Sequence, residues 1–153
     1  RHTRYISVTG VQTCALPICV GAFIHATSTN RYLFLLRTGD KFNNTWGLVG
    51  GKLELGENVS AGLNREIQEE LGGTIKDAKL IPIEQYTSNN NKFVYHTFLI
   101  NVDDEFVPIL NDEHRGYCWV PLEQYPKPLH PGVYRTVKFE SIFKKIKTLE
   151  QVK

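Results

Sequence analysis

The chain has 153 residues, the size of one domain able to build a single substantial core. Hydrophobic residues at 41% and charged residues at 22% are ordinary globular values, and the formal net charge is only +2. No apolar run reaches the roughly eighteen residues of a membrane-spanning helix, and neither an internal repeat nor a low-complexity tract is present.

In chain order, Arg1-His-Thr-Arg4 and Val8-Thr-Gly-Val-Gln-Thr-Cys-Ala-Leu-Pro-Ile18 resemble the translated text of a short-read sequencing adapter, with Tyr5-Ile6-Ser7 where its variable index falls. Residues 1–18 are therefore expected to be a non-native segment, and residues 19–150 a single domain. The other reading is a genuine N-terminal extension. A secretory signal is disfavoured, because no sustained apolar stretch follows Arg4. The segment carries Arg1 and Arg4 and no acidic residue, so the charge of +2 falls to zero without it. Basicity then gives no argument for nucleic-acid binding. Cys14, Cys19 and Cys118 have neither metal-ligand spacing nor the density of a disulfide scaffold, which points to a reduced, cytoplasmic setting.

Residues 20–26 and 32–36 are apolar and aromatic runs separated by the turn-like Thr27-Ser-Thr-Asn30, and read as strands. Residues 37–45 form a polar loop and 46–49 a short strand. Residues 79–87 and 92–102 flank Ser88-Asn-Asn-Asn91 as a hairpin, and 117–120 form another short strand. Three prolines within residues 126–131 mark an extended connector. From 133 to 149, Val133, Val137, Phe139, Ile142, Phe143 and Ile146 have the spacing of one amphipathic helix. Strands with helices on either side predict an α/β sandwich.

The helix over 58–71 carries the chemistry. Asn58 is its N-cap, Gly72-Gly73 its stop, and Val59, Leu63, Ile67 and Leu71 its buried stripe. Each helical residue advances about 100°, so Glu66, Glu69 and Glu70 share one flank. Glu66 and Glu70 repel at i,i+4 by about 0.2–0.5 kcal/mol, and the helix dipole disfavours Glu69 and Glu70 in the last turn. Repelling carboxylates at a helix end make sense around a hard cation, and magnesium takes oxygen ligands. Gly50-Gly51-Lys52 supplies a turn where backbone approaches a metal or phosphate, and Arg65 is positioned to pair with Glu57 and brace the loop.

Gly51-x5-Glu57-x7-Arg65-Glu66-Ile67-x-Glu69-Glu70-x-Gly72 resembles the Nudix box at every position, and Trp46-Gly-Leu-Val-Gly-Gly-Lys52 resembles the approach to it in MutT-type members. Two positions depart: Gly73 stands where the box closes on an aliphatic residue, with Ile75 two places on, and Val49 where proline is frequent. The resemblance implies an α/β/α sandwich with a mixed β-sheet. It further implies Mg²⁺, with Mn²⁺ as the alternative ion, held by Glu66, Glu69, Glu70 and the Gly51 carbonyl. Such an ion neutralises a diphosphate and activates water for in-line attack. Glu66 is the first choice of general base.

Lys52 and Arg37 are candidate phosphate contacts, Arg37 reading equally as structural. Asn111-Asp-Glu-His-Arg-Gly-Tyr-Cys-Trp119 resembles an acidic segment that reaches the active site in the family: Glu113 is then an extra ligand or the base, and Asp112 a reader of a purine edge. The same stretch also reads as an ordinary polar loop. His114 reads as a loop residue, and Trp46, Tyr117 and Trp119 as core aromatics rather than base-stacking ones. The leading function is a nucleoside triphosphate pyrophosphohydrolase acting on a small nucleotide-like substrate. The alternatives are hydrolysis of ADP-ribose, a nucleotide sugar or a dinucleoside polyphosphate, or a non-catalytic nucleotide-sensing module. No downstream proline matches the ADP-ribose subgroup, and Tyr86 and Tyr95 do not match the dinucleoside-polyphosphate spacing. Family members are frequently homodimers, which these residues do not themselves show.

Overall fold

The computed structural model of the chain describes residues 6–8, 11–13, 16–76 and 78–152, the first two stretches by their backbone alone. Half of the adapter-like text of residues 1–18, Cys14 included, lies outside the described residues. Strands β1 (Ile6–Val8) and β2 (Val11–Thr13) pair antiparallel as a separate ribbon.

The rest is one mixed sheet with helices on both faces, the α/β/α sandwich expected. Strands β3 (Ile18–Ala26), β4 (Arg31–Arg37), β5 (Trp46–Gly47), β6 (Val49–Lys52), β7 (Ile81–Thr87), β8 (Val94–Val102) and β9 (His114–Val120) form it. The path runs β5-β4-β3-β8-β7, with β6 added to β3 and β9 to β4; β3 and β8 are parallel and every other pairing is antiparallel. Pro17 and Ile18 take part in the ladder, their carbonyls accepting from Val94 N at 2.9 Å and Leu53 N at 2.8 Å. Pro82 has no N–H to give, and the β7–β8 register shifts between it and Glu84.

Strand parity divides the core in two. Val20, Ala22, Ile24 and Ala26 of β3, with Leu33 and Leu35 of β4, face helix α1 (Val59–Leu71) and its Leu63, Ile67 and Leu71. Phe23, Tyr32, Phe34 and Leu99 face the other way, onto helices α2 (Pro131–Lys138) and α3 (Glu140–Leu149) through Val133, Val137 and Ile146. No helix among the described residues is long and apolar enough to cross a membrane.

The single helix predicted over 133–149 is two helices. Phe139 is extended (φ −76°, ψ 114°), ends α2 and precedes α3. It was counted in the apolar stripe but is 47% exposed. Without it the stripe jumps five residues from Val137 to Ile142, about 140° off a straight helix face. The break restores both helices' apolar faces to one core. The strand predicted over 117–120 begins earlier, at His114, and the one over 46–49 is interrupted at Leu48.

Candidate active site

Helix α1 begins where Asn58 accepts a hydrogen bond from Ala61 N at 2.8 Å, and ends where Gly72 turns left-handed (φ 69°) with its N–H on the Gln68 carbonyl. Gly73 is also left-handed (φ 76°), so the chain turns sharply, and the buried Ile75 fills the apolar core beside α1. Val49, at the other departing position, pairs with Ala22 and is itself part of that core.

Strand β6 lies against the same helix, and its glycines permit the contact. A Cβ at Gly50 would overlap the Val20 carbonyl, and one at Gly51 would overlap Glu66 Oε2. Gly50 N–H donates to Glu70 Oε1 at 2.7 Å. Two helix carboxylates are thus seated on strand backbone, Glu66 fully buried and Glu70 2% exposed.

The third carboxylate comes from the turn before β9. Asn111 Oδ1 accepts from Glu113 N at 3.1 Å, and the Glu113 carbonyl accepts from Thr38 N at 3.0 Å. Oxygens of Glu66, Glu70 and Glu113 lie within 4.8 Å of one another. Burial, above all, holds the Glu70 carboxyl well above the ordinary range; the Glu113 hydrogen bond and the neighbouring charges add to this, against the Gly50 N–H. His114, next in sequence, is buried with Nδ1 3.8 Å from Glu70 Oε2. Burial first and Arg37 second push its pKa down to about 4, so the ring is neutral.

Arg65 braces this group. It grips Glu57 with Nε at 2.8 Å and Nη2 at 2.9 Å, reaches Glu66 Oε1 at 2.6 Å, and donates to the Lys52 carbonyl at 3.0 Å. The hydrogen bond from Arg65 is the main reason the Glu57 carboxyl is held down at about 2. Glu69 stands on the exposed flank of the helix, 3.3 Å from Arg65, outside that triad.

These groups open on a cleft with two compartments that share Arg37, Lys41, Gly50, Gly51 and Lys52 as walls. One, of about 630 Å³, adds Glu70, Glu113 and His114. The other, of about 460 Å³, adds Phe42, Leu48, Phe93, Tyr95 and His130. The β4–β9 register shifts at Arg37, opposite His114, a bulge that re-aims the arginine at the strand end. Arg37 Nε is buried with no hydrogen-bond partner among the described residues. Asp112 is exposed on the turn and lines neither compartment. Trp119 packs on Phe106 in the core, Trp46 packs against the α2/α3 core, and Tyr117 is exposed.

Several lining residues gave no sequence signal. Lys41 and Phe42 sit in a polar loop, and Phe93 and His130 fall in a hairpin and a proline-rich connector that only the fold brings beside them. His114 had one usable signal, its adjacency to Glu113.

The donor set suits a hard divalent ion: three carboxylates converge, and Gly51 leaves open the space a Cβ would fill beside Glu66. The family model described as the NUDIX domain matches residues 15–139. The chain is 31% identical over 94 residues to "Nucleoside triphosphatase NudI" of Salmonella arizonae, covering 55% of this chain and 67% of that protein. The match to such relatives therefore spans about two thirds of their length. A MutT NUDIX hydrolase structure from Burkholderia pseudomallei superposes with TM-score 0.62 at 25% identity, covering 81% of this chain and 97% of that one. The MutT protein of Methanosarcina mazei shares the fold with TM-score 0.66 at 23% identity, over 89% and 96% of the two chains.

Proposed function

Since the chain belongs to the Nudix family and is a hydrolase of diphosphate bonds, we propose that it is a magnesium-dependent pyrophosphohydrolase of nucleoside triphosphates. The observation that carries this reading is the convergence of Glu66, Glu70 and Glu113 within 4.8 Å beside a cleft walled by Arg37 and Lys52. Relatives named as nucleoside triphosphatases support the substrate class.

Glu66, Glu70 and Glu113, with the Gly51 carbonyl, would hold the ion, and Glu69 would join them through water or by turning inward. The bound ion supplies charge neutralisation of the diphosphate and a more acidic water. Arg37, with its uncommitted buried Nε, and Lys52 receive phosphate oxygens. Glu66, the first choice of base, is fully buried and held at 2.6 Å by Arg65. Glu113, which lines the cleft while Glu66 is fully buried beneath it, is the better placed acceptor of the water's proton.

The test is turnover with Mg²⁺, and then Mn²⁺, on nucleoside triphosphates, ADP-ribose and dinucleoside polyphosphates, reading released phosphate and pyrophosphate. Glu113→Gln should lower kcat on triphosphates about 10²–10⁴-fold, and Glu70→Gln should weaken magnesium binding measured by calorimetry. A folded protein that binds magnesium but cleaves no triphosphate would refute the substrate class; undiminished turnover in both variants would refute the site.

A further inference from the structure

We propose that the aromatic compartment beside the carboxylates holds the base of the nucleotide, against the paired rings of Phe42 and His130, and so sets substrate choice. This rests on the nucleotide reading of the same site and goes beyond it by assigning residues that lie outside the metal-binding motif.

Three observations converge. The first is that Phe42 is built for a purpose other than folding. Its ring is 48% exposed, yet its backbone is left-handed (φ 53°), which a bulky residue adopts only when its neighbours enforce it. They do: Thr45 donates from Oγ1 to the Phe42 carbonyl at 2.6 Å, and the loop is closed at its base by Arg37 N to Thr45 O at 2.9 Å and Asn44 N to Arg37 O at 3.0 Å. About half of this aromatic stays in solvent despite its costly conformation, so the free protein gains little apolar burial from it and a ligand would gain the rest.

The second is His130, whose ring meets that of Phe42 edge-on at 4.5 Å. Pairing of the connector with β5 fixes it, His130 N donating to Trp46 O at 2.8 Å and Trp46 N to Pro128 O at 2.9 Å. Its Nδ1 accepts from Gly132 N at 3.0 Å as the cap of α2, which puts the ring proton on Nε2. Burial and then Arg37 push its pKa down to about 4, leaving a neutral ring with one donor, suited to an uncharged heterocycle.

The third is charge. Phe93, Tyr95 and Leu48 complete an apolar floor, while the cations lining this compartment are Arg37, Lys41, Lys52 and Lys92, with no carboxylate among its lining residues. Such a pocket fits a ligand that is flat and uncharged at one end and polyanionic at the other. Its shared wall at Gly50–Lys52 leads the anionic end to Glu70 and Glu113. A nucleoside polyphosphate meets this description; an alkyl diphosphate lacks the planar ring that the aromatic walls can stack.

Calorimetric titration in EDTA separates base recognition from hydrolysis. The ligands are the four common nucleoside monophosphates, ribose 5-phosphate and hexyl phosphate. At least one nucleotide should bind about tenfold more tightly than ribose 5-phosphate, and Phe42→Ala should reduce that advantage to about threefold or less. Phe42 is an exposed loop residue, so its loss leaves the fold intact. His130→Asn keeps a capping acceptor for Gly132 N and should also lower nucleotide affinity while ribose 5-phosphate binding stays the same. Equal binding of ribose 5-phosphate, tighter binding of hexyl phosphate, no measurable nucleotide binding, or full nucleotide affinity in both variants overturns the assignment. Triphosphate hydrolysis alongside any of these results would leave the proposed reaction standing and remove only the base site. Base-dependent binding without hydrolysis would do the reverse.

Discussion

Arg65 reaches two oxygens of Glu57, one of Glu66 and the Lys52 carbonyl, so one guanidinium ties the loop before α1 to β6 and to a carboxylate of the triad. The pairing has a pH signature. The Glu57 carboxyl is held at about 2 in the fold against an ordinary value of 4.5. A depressed folded pKa stabilises fully above the ordinary value, and that contribution is lost as pH falls from 4.5 towards about 2. Glu57→Gln should therefore unfold at lower urea than the wild type at neutral pH, and the gap should narrow below pH 4.5 and close only near pH 2. A gap independent of pH would mean that Glu57 stabilises by packing and not by its charge. At this scale the pairing of Glu66 with Glu70 was legible because like charges at i,i+4 are costly on a plain helix, whereas Glu69, expected beside them, stands on the exposed flank. Glu113 was legible only as an alternative, since a turn has no periodicity to say where its side chain goes. Phe42 and His130 were not legible, being separated by 87 intervening residues and joined by the sheet alone.

Helix α1 shows how much one element can declare in advance: N-cap, buried stripe and glycine stop each depend on residues within a turn of the place they act. Two glycines, one at its C-terminus and one on the facing strand β6, should respond differently to the same change. Gly72→Ala puts a side chain at φ 69° and crowds Ile109, and should cost about 1–2 kcal/mol in chemical denaturation. Gly51→Ala drives its new methyl into Glu66, so its cost should appear as at least about tenfold weaker magnesium binding. If Gly51→Ala binds magnesium normally, the Glu66 oxygens are not where the ion sits. The segment over 133–149 shows the converse. Its composition is helical throughout, but where it bends is set by what the sheet presents to each half, and Phe139 was counted as core when the break leaves it in solvent.

At the level of the whole molecule, the sheet separates two jobs. Alternating side chains of β3 and β4 commit one face to α1 and the carboxylates and the other to α2 and α3. The second face is closed at its end by a buried polar group: His25 Nδ1 lies 2.8 Å from Asn101 Oδ1, and its Nε2 lies 2.8 Å from Asn30 Oδ1 and 3.2 Å from Glu150, just beyond α3. Asn101 in turn donates to the Leu149 carbonyl at 3.0 Å, so the last helix is tied to β8 by more than apolar contact. Ile146, fully buried among Val137, Phe23 and their neighbours, sits at the centre of this docking. Ile146→Ala should cost about 2–5 kcal/mol, because the cavity it leaves is walled by a sheet that cannot collapse into it. Yet no member of the carboxylate triad belongs to that cluster, and sites without shared partners lose stability independently. Below the variant's unfolding transition, magnesium affinity should therefore stay within about twofold of wild type while the urea midpoint falls. A matching loss of affinity would show that β3, common to both faces, transmits strain across the sheet, and the metal site would then depend on the C-terminal helices as well as on α1.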